Sequence, residues 1–251
     1  MRNNRRRILI LGGTSEARKL AIQVVKTLPN HVEIISSYAG KTIRTEEPPG
    51  TIREGGFGGA KGLEDFIRSE SIDLLIDATH PFATVISNHA AVATEAIGCP
   101  RLVLRRPDWK LSADIQVREA KNMDEAAHWL SGRKERVFLS TGRHQLNAFT
   151  HLKEAWFLIR LITMSDFPLP LSCYKIVTGR PPFKRESEIS LLKQNGIQCL
   201  VSKHSGGPVP EKVAAAGALG IPIILIRQPE PPTGRTTNEI SKALTWIQAI
   251  L

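Results

Sequence analysis

The chain is poor in aromatic residues, which make up 6% of its 251 positions, with only two tyrosines and four tryptophans. Proteins that bind nucleic acid by stacking need rings interleaved with a basic stripe, and here the arginines are scattered among β-rich and loop segments. No nucleic-acid partner is expected. Long apolar runs are also missing: Ile8 to Leu11 and Ile221 to Ile226 fall far short of the roughly 20 residues of a membrane helix. There are three cysteines, Cys99, Cys173 and Cys199, with no C-x-x-C or metal-ligand spacing, so reduced thiols in a cytoplasmic protein without a metal are expected. Also absent are G-x-x-x-x-G-K-[ST], H-E-x-x-H and G-x-S-x-G, and with them the usual signatures of P-loop, zincin and α/β-hydrolase chemistry.

What is present is positive charge. The formal net charge is +10, which calls for an anionic partner such as a phosphate-bearing cofactor or a polycarboxylate. The basic start, Met1 to Arg7, reads as a soluble lead-in, because the apolar stretch behind it stops at Gly12.

Short β-rich runs alternate with amphipathic segments, the pattern of βαβ units around a parallel sheet. The periodicity predicts strands at Arg7 to Leu11, Val32 to Ser36, Asp73 to Ile76 and Arg101 to Leu104, with helices at Ser15 to Thr27, Gly59 to Ser69 and Phe82 to Ala96. A polar stretch at Pro107 to Gln116 breaks the rhythm, and a second set of strands and helices follows. The reading is two α/β domains, 1–108 and 109–251, hinged near residues 107 to 118.

In "LILGGTSEAR" a strand meets a helix at two glycines. Such a turn lets a pyrophosphate approach the backbone at a helix amino terminus, which marks Gly12, Gly13, Thr14 and Ser15 as candidate cofactor contacts. Thr14 stands where G-x-G-x-x-G/A has its second glycine, and a plain tight connection fits the spacing equally well. The second strand ends in Ser36 and Ser37, with Lys41 and Arg44 beyond, instead of the carboxylate that receives an NAD ribose. Hydroxyls and cations there suit the 2′-phosphate of NADP; solvated loop charges are the alternative. Gly55-Gly56-Phe57-Gly58-Gly59 suits close approach of a ligand, which adds Gly56, Phe57 and Gly58, or else forms a flexible loop.

The stretch "DATHPFA" lies where a buried strand gives way to a helix. Thr79 and Pro81 suit a helix start, whereas His80 is better placed to face a cofactor or substrate. In the second half, Thr141-Gly142-Arg143 and Ser202-Lys203-His204-Ser205-Gly206-Gly207 each follow a strand and combine glycine, hydroxyl and cation, a composition suited to an anion.

Taken in order, "ILILGGTSEAR", "GGFGGAKGLEDFI", "IDATHPFA", "RLVLRRPDW", "FLSTGR", "LVSKHSGG" with Lys212 behind it, and "LGIPIILIRQP" resemble the precorrin-6A and cobalt-precorrin-6A reductases of cobalamin biosynthesis. The resemblance implies two Rossmann-like or flavodoxin-like domains with parallel sheets and a cleft between them. It implies an oxidoreductase that uses NADPH to reduce one ring double bond of precorrin-6A, giving precorrin-6B. In the anaerobic route the substrate carries cobalt and NADH is the alternative donor. Thr79 and His80 then join the cofactor contacts, Thr141, Arg143, Ser202, Lys203, His204, Ser205, Gly206 and Gly207 the substrate contacts, and Lys203, Arg143 and His80 the catalytic set. Other cobalamin-pathway enzymes are implied as partners. One departure is that the family's threonine-lysine-asparagine is Ser202-Lys203-His204 here. The rivals are a different NADP-dependent reductase and a non-catalytic binding module, either a nucleotide sensor or a nucleic-acid-binding protein drawn by the positive charge.

Overall fold

The computed structural model describes residues 5–40, 47–164 and 167–251. They divide into two compact units, one of residues 1–107 with 229–251 and the other of 108–228.

In the first unit the strands are β1 (Arg6–Leu11), β2 (Val32–Tyr38), β3 (Thr51–Glu54), β4 (Leu74–Asp77), β5 (Arg101–Leu104) and, from the carboxy-terminal segment, β12 (Arg235–Thr237). They pair in parallel in the order β12-β5-β4-β1-β2-β3. Because successive side chains of a strand point to opposite faces, the uninterrupted run Ile8 to Leu11 serves two cores at once. Ile8 and Ile10 pack with Leu20 and Val24 of α1 (Ser15–Thr27) and Ala243 and Ile247 of α7 (Ile240–Ile250). Leu9 and Leu11 pack on the other face with Leu63 and Ile67 of α2 (Ala60–Ser69) and Ala90 and Ala93 of α3 (Thr84–Ile97).

The second unit repeats this design. Its strands β6 (Val117–Ala120), β7 (Arg136–Leu139), β8 (Trp156–Leu161), β9 (Tyr174–Thr178), β10 (Cys199–Lys203) and β11 (Ile223–Ile226) form a parallel sheet in the order β6-β11-β10-β7-β8-β9. One face carries α5 (Arg185–Gln194) and α6 (Glu211–Ala218), whose Leu192, Val213 and Ala216 meet Phe138, Leu158 and Leu200. The remaining helices are α4 (Met123–Leu130) and a 3-10 helix at Arg143–Phe149.

Counted outward from β1 and from β7, both sheets have the order 3-2-1-4-5-6 of a dinucleotide-binding fold. They differ in where the sixth strand comes from. β6 and α4 precede β7 in the chain, whereas β12 and α7 come after everything else. The units are circular permutations of one another in element order, a repeat invisible in the residues.

Two expectations need correction. Residues 229–251 do not belong with the second domain, because β12 extends the first sheet beside β5 and α7 covers the first core. The supposed hinge runs into β6, which begins at Val117, and within it Trp109 is a core residue, 7% exposed.

Candidate active site

In parallel sheets ligands bind beyond the carboxyl ends of the strands, where the strand order reverses. In the first unit that point lies between β1 and β4. Gly13 adopts φ +107°, a conformation that side chains disfavour, so the turn after β1 requires glycine there. Gly12 donates its N–H to the Ser37 carbonyl at 2.9 Å, and a Cβ on it would sit 3.2 Å from the Tyr38 ring.

Thr14 is the N-cap of α1. Its Oγ1 accepts from the Ala17 N–H at 3.2 Å and donates to the Ala78 carbonyl at 2.7 Å, stitching the turn after β1 to the one after β4. This double duty accounts for threonine in place of glycine. Ser15 donates to Glu16 at 3.0 Å, and Glu16 is held by the Arg106 guanidinium at 2.9 Å. That pair is largely buried and neutralises the carboxylate at a helix end that favours anions.

Ser36 and Ser37 are buried, and the Ser37 hydroxyl accepts from Arg53 at 3.4 Å. Arg44 and Lys41 lie outside the described residues. Arg53 organises the glycine loop: it donates to the carbonyls of Gly55 at 2.6 Å and Gly56 at 2.9 Å, and its guanidinium lies 3.7 Å from the Phe57 ring centroid. Burial lowers its pKa. Gly56, Phe57 and Gly58 therefore form an anchored turn ahead of α2. Sequence reading passed over Arg53, although a cation just before a glycine run was a usable signal.

Thr79 does not cap a helix. The helix after β4 starts later, at Thr84 with Ala83 as N-cap, and the Thr79 hydroxyl instead donates to Asp77 Oδ1 at 2.7 Å. A carboxylate 1% exposed at a strand end needs donors, and Thr79 also supplies its backbone N–H, at 3.2 Å. Asp77 Oδ2 has no hydrogen-bond partner among the described residues. Asp77, Thr79, His80, Ser87 and Asn88 line a recess rimmed by Pro229–Pro232. His80 Nδ1 accepts from the Phe82 N–H at 3.3 Å.

The second unit has its switch point between β7 and β10. Gly142, at φ +90°, leads into the 3-10 helix that starts with Arg143, an exposed side chain whose guanidinium lies 5.9 Å from the Phe167 ring centroid. Thr141 is buried and its hydroxyl has no partner among the described residues. Beyond β10, Ser202 is fully buried and Lys203 partly so, and burial lowers the lysine's pKa. His204 stacks on Trp109 with centroids 4.6 Å apart, and its Nδ1 lies 3.0 Å from Gln228 Nε2. Ser205, Gly206 and Gly207 continue the loop, the two glycines at φ 65° and 76°. Trp109, Ser140 and Lys212 are the neighbours that sequence reading left out of this site.

The structure thus gathers those expected residues that it describes at two strand edges, one in each unit. The first has an open turn at a helix amino terminus, an arginine beside the second strand, and a buried carboxylate oxygen without a partner among the described residues. Among the described residues no group of three or more His, Cys, Asp or Glu side chains is placed to hold a metal ion. No described helix is long and apolar enough to cross a membrane. Burial raises the Cys99 and Cys199 thiols to about 11 and about 12, so neither is a nucleophile near neutral pH.

Fold and edges together define a Rossmann-like α/β protein with a switch point at the strand edge of each sheet. The family model for precorrin-6x reductase CbiJ/CobK matches residues 7–248, and the chain belongs to that family. It is 41% identical to the precorrin-6A reductase of Rhodococcus erythropolis over 243 residues, covering 96% of this chain and 97% of that protein. To the cobalt-precorrin-6A reductase of Priestia megaterium it is 30% identical over 252 residues, covering 94% and 97%. A solved structure described as CobK precorrin-6A reductase matches with TM-score 0.86 at 34% identity, covering 98% of this chain and 97% of that one.

Proposed function

We propose that the chain reduces one ring double bond of precorrin-6A to give precorrin-6B, with NADPH as reductant. The observation that carries this reading is the end-to-end match to precorrin-6A reductases. Identity of 41% to a precorrin-6A reductase against 30% to a cobalt-precorrin-6A reductase favours the cobalt-free macrocycle.

In this reading the first unit binds the cofactor and the second the macrocycle. NADPH when bound supplies a hydride, and a proton completes the reduction. Gly12 and Gly13 admit the pyrophosphate to the turn, with the first N–H groups of α1 turned toward it. Arg53, Ser36 and Ser37 stand where the 2′-phosphate is expected, and no carboxylate of β2 opposes it there. Asp77, with one oxygen unpartnered, accepts a hydrogen bond from the cofactor and holds Thr79 in place. Lys203 and Arg143 bind substrate carboxylates and stabilise charge as hydride arrives. The proton comes from His80, from His204 or from water. Cytoplasmic location and association with other cobalamin-pathway enzymes belong to the same proposal.

The test is oxidation of NADPH and NADH by the purified chain with precorrin-6A or its cobalt form, followed at the nicotinamide absorbance band. Oxidation of NADPH with precorrin-6A is expected. Preference for NADH or for the cobalt form would overturn the corresponding half of the reading, and inactivity with both macrocycles would overturn the whole.

A further inference from the structure

The segment Arg106-Pro107-Asp108-Trp109 spans the first of the two points at which the chain passes from one unit to the other; the second lies between Gln228 and Pro229. On the first-unit side the segment is fastened to the turn after β1. Arg106 donates from Nε to Glu16 Oε2 at 2.9 Å, and the same oxygen accepts from the Ser15 hydroxyl at 3.0 Å. The Arg106 and Glu16 side chains are 16% and 10% exposed, so the pair is shielded from water and salt, unlike a loose surface contact. Ser15 and Glu16 open α1 directly behind Gly13 and Thr14.

On the second-unit side the same segment is fastened to the loop after β10. Trp109 belongs to the core of that unit, and its ring stacks on His204 with centroids 4.6 Å apart and planes 30° apart. The indole N–H has no hydrogen-bond partner among the described residues, so packing and stacking hold the ring. His204 donates its backbone N–H to the Ile226 carbonyl at 2.8 Å. Gln228 Nε2 lies 3.0 Å from His204 Nδ1 and 3.4 Å from Asp108 Oδ1, which ties the second crossing to the first. Little slack is left in the chain. Only Pro107 separates Arg106 from Asp108, and its ring fixes φ at about −65°.

We propose that residues 106–109 are a coupling segment that links the turn after β1 to the loop after β10, so that occupancy of the first edge alters the second. The inference rests on the reading of the first edge as the cofactor site, and it adds Arg106 and Trp109 as positioning residues. A dinucleotide phosphate at the amino end of α1 places negative charge beside Glu16 and competes for the guanidinium that Glu16 holds. The empty and occupied turns therefore hold Arg106 differently, and such a difference in contact free energy is what coupling requires. With one proline between them, a shift of Arg106 reaches Asp108 and the Trp109–His204 stack without loose chain to absorb it.

The experiment is amide hydrogen exchange of the full chain, read by mass spectrometry, for the unaltered protein, Arg106→Met, His204→Ala and the double variant. Glu16→Gln is a milder break of the same contact should Arg106→Met fail to fold. Without ligand, Arg106→Met should speed exchange in residues 202–207 of the other unit about two- to thirtyfold, the range found for coupling through packed networks. His204→Ala should do the same for residues 12–18, and should add nothing there once Arg106 is methionine, because both substitutions cut one connection. Exchange in β4 and β7 should stay unchanged, which separates coupling from a general loss of stability. Changes confined to the unit that carries the substitution, or full additivity in the double variant, would overturn the coupling. Saturating NADP+ should protect residues 202–207 in the unaltered protein and not in Arg106→Met; protection that survives the substitution would overturn it as well. If NADP+ leaves residues 12–18 unprotected, the cofactor reading fails, while the ligand-free comparison still decides the coupling segment, so either can fail alone.

Discussion

Thr14 offers the sharpest test of how the first unit is assembled. Replacing it with alanine removes two hydrogen bonds at once, the cap to the Ala17 N–H at 3.2 Å and the link to the Ala78 carbonyl at 2.7 Å. Loss of a threonine cap costs about 1 kcal/mol. A buried carbonyl left without its donor costs about 1–3 kcal/mol more, and Ala78 is 0% exposed. The expected destabilisation of the first unit is therefore about 2–4 kcal/mol. With a urea slope of about 2 kcal/mol/M, the midpoint should drop by about 1–2 M. Because the chain contains two units, the transition should be followed locally, by amide hydrogen exchange in β1, α1 and β4 across a urea series. Thr14→Ser keeps the hydroxyl and loses only a methyl group, at a cost of about 0.8 kcal/mol or less. If alanine and serine shift the midpoint equally, the stitch between the two turns is not what holds this edge together.

Three further outcomes are expected. Glu188→Gln strands the Arg160 guanidinium in a buried setting and should destabilise the second unit by about 3–5 kcal/mol, while the double change Arg160→Met with Glu188→Met should cost far less; equal losses in thermal melts would contradict the ion-pair argument. The folded pKa of Lys212, about 8, lies below the ordinary 10.5, so the unfolded chain holds more protons between those pH values and this group's contribution to stability rises with pH across that window. The stability difference between the unaltered protein and Lys212→Met should change between pH 7.5 and 9.5, and a constant difference in urea midpoints would refute the assignment. Arg53→Met removes the donors to the Gly55 and Gly56 carbonyls, so it should speed hydrogen exchange across residues 55–59, raise the KM for NADPH about tenfold and narrow the preference over NADH; unchanged exchange would show that the loop holds itself.

The first edge also shows how a buried charge is handled at a helix end. Glu16 sits in the first turn of α1, where a bare carboxylate would compete with a phosphate for the helix end. Arg106, 90 residues further along the chain, neutralises it at 2.9 Å.

The residues alone determine a good deal here. Alternating β-rich and amphipathic runs specify parallel α/β units because a strand buried on both faces must be apolar throughout, and Ile8 to Leu11 is. Glycine at position 13 and the glycine loop before α2 are legible for the same reason: local backbone geometry leaves its mark on the residues that adopt it. Thr79 shows where local signals mislead. Its position before a proline matches a helix start, yet a buried Asp77 claims the hydroxyl, and that demand comes from strand burial and not from neighbouring residues. Only tertiary structure could return residues 229–251 to the first sheet, because the pairing of β12 with β5 joins segments more than 130 positions apart. The same holds for Arg106 with Glu16, Trp109 with His204 and Lys212 with Ser140. Long-range partners are chosen by the fold that brings the strand edges together, and no spacing in the sequence records them.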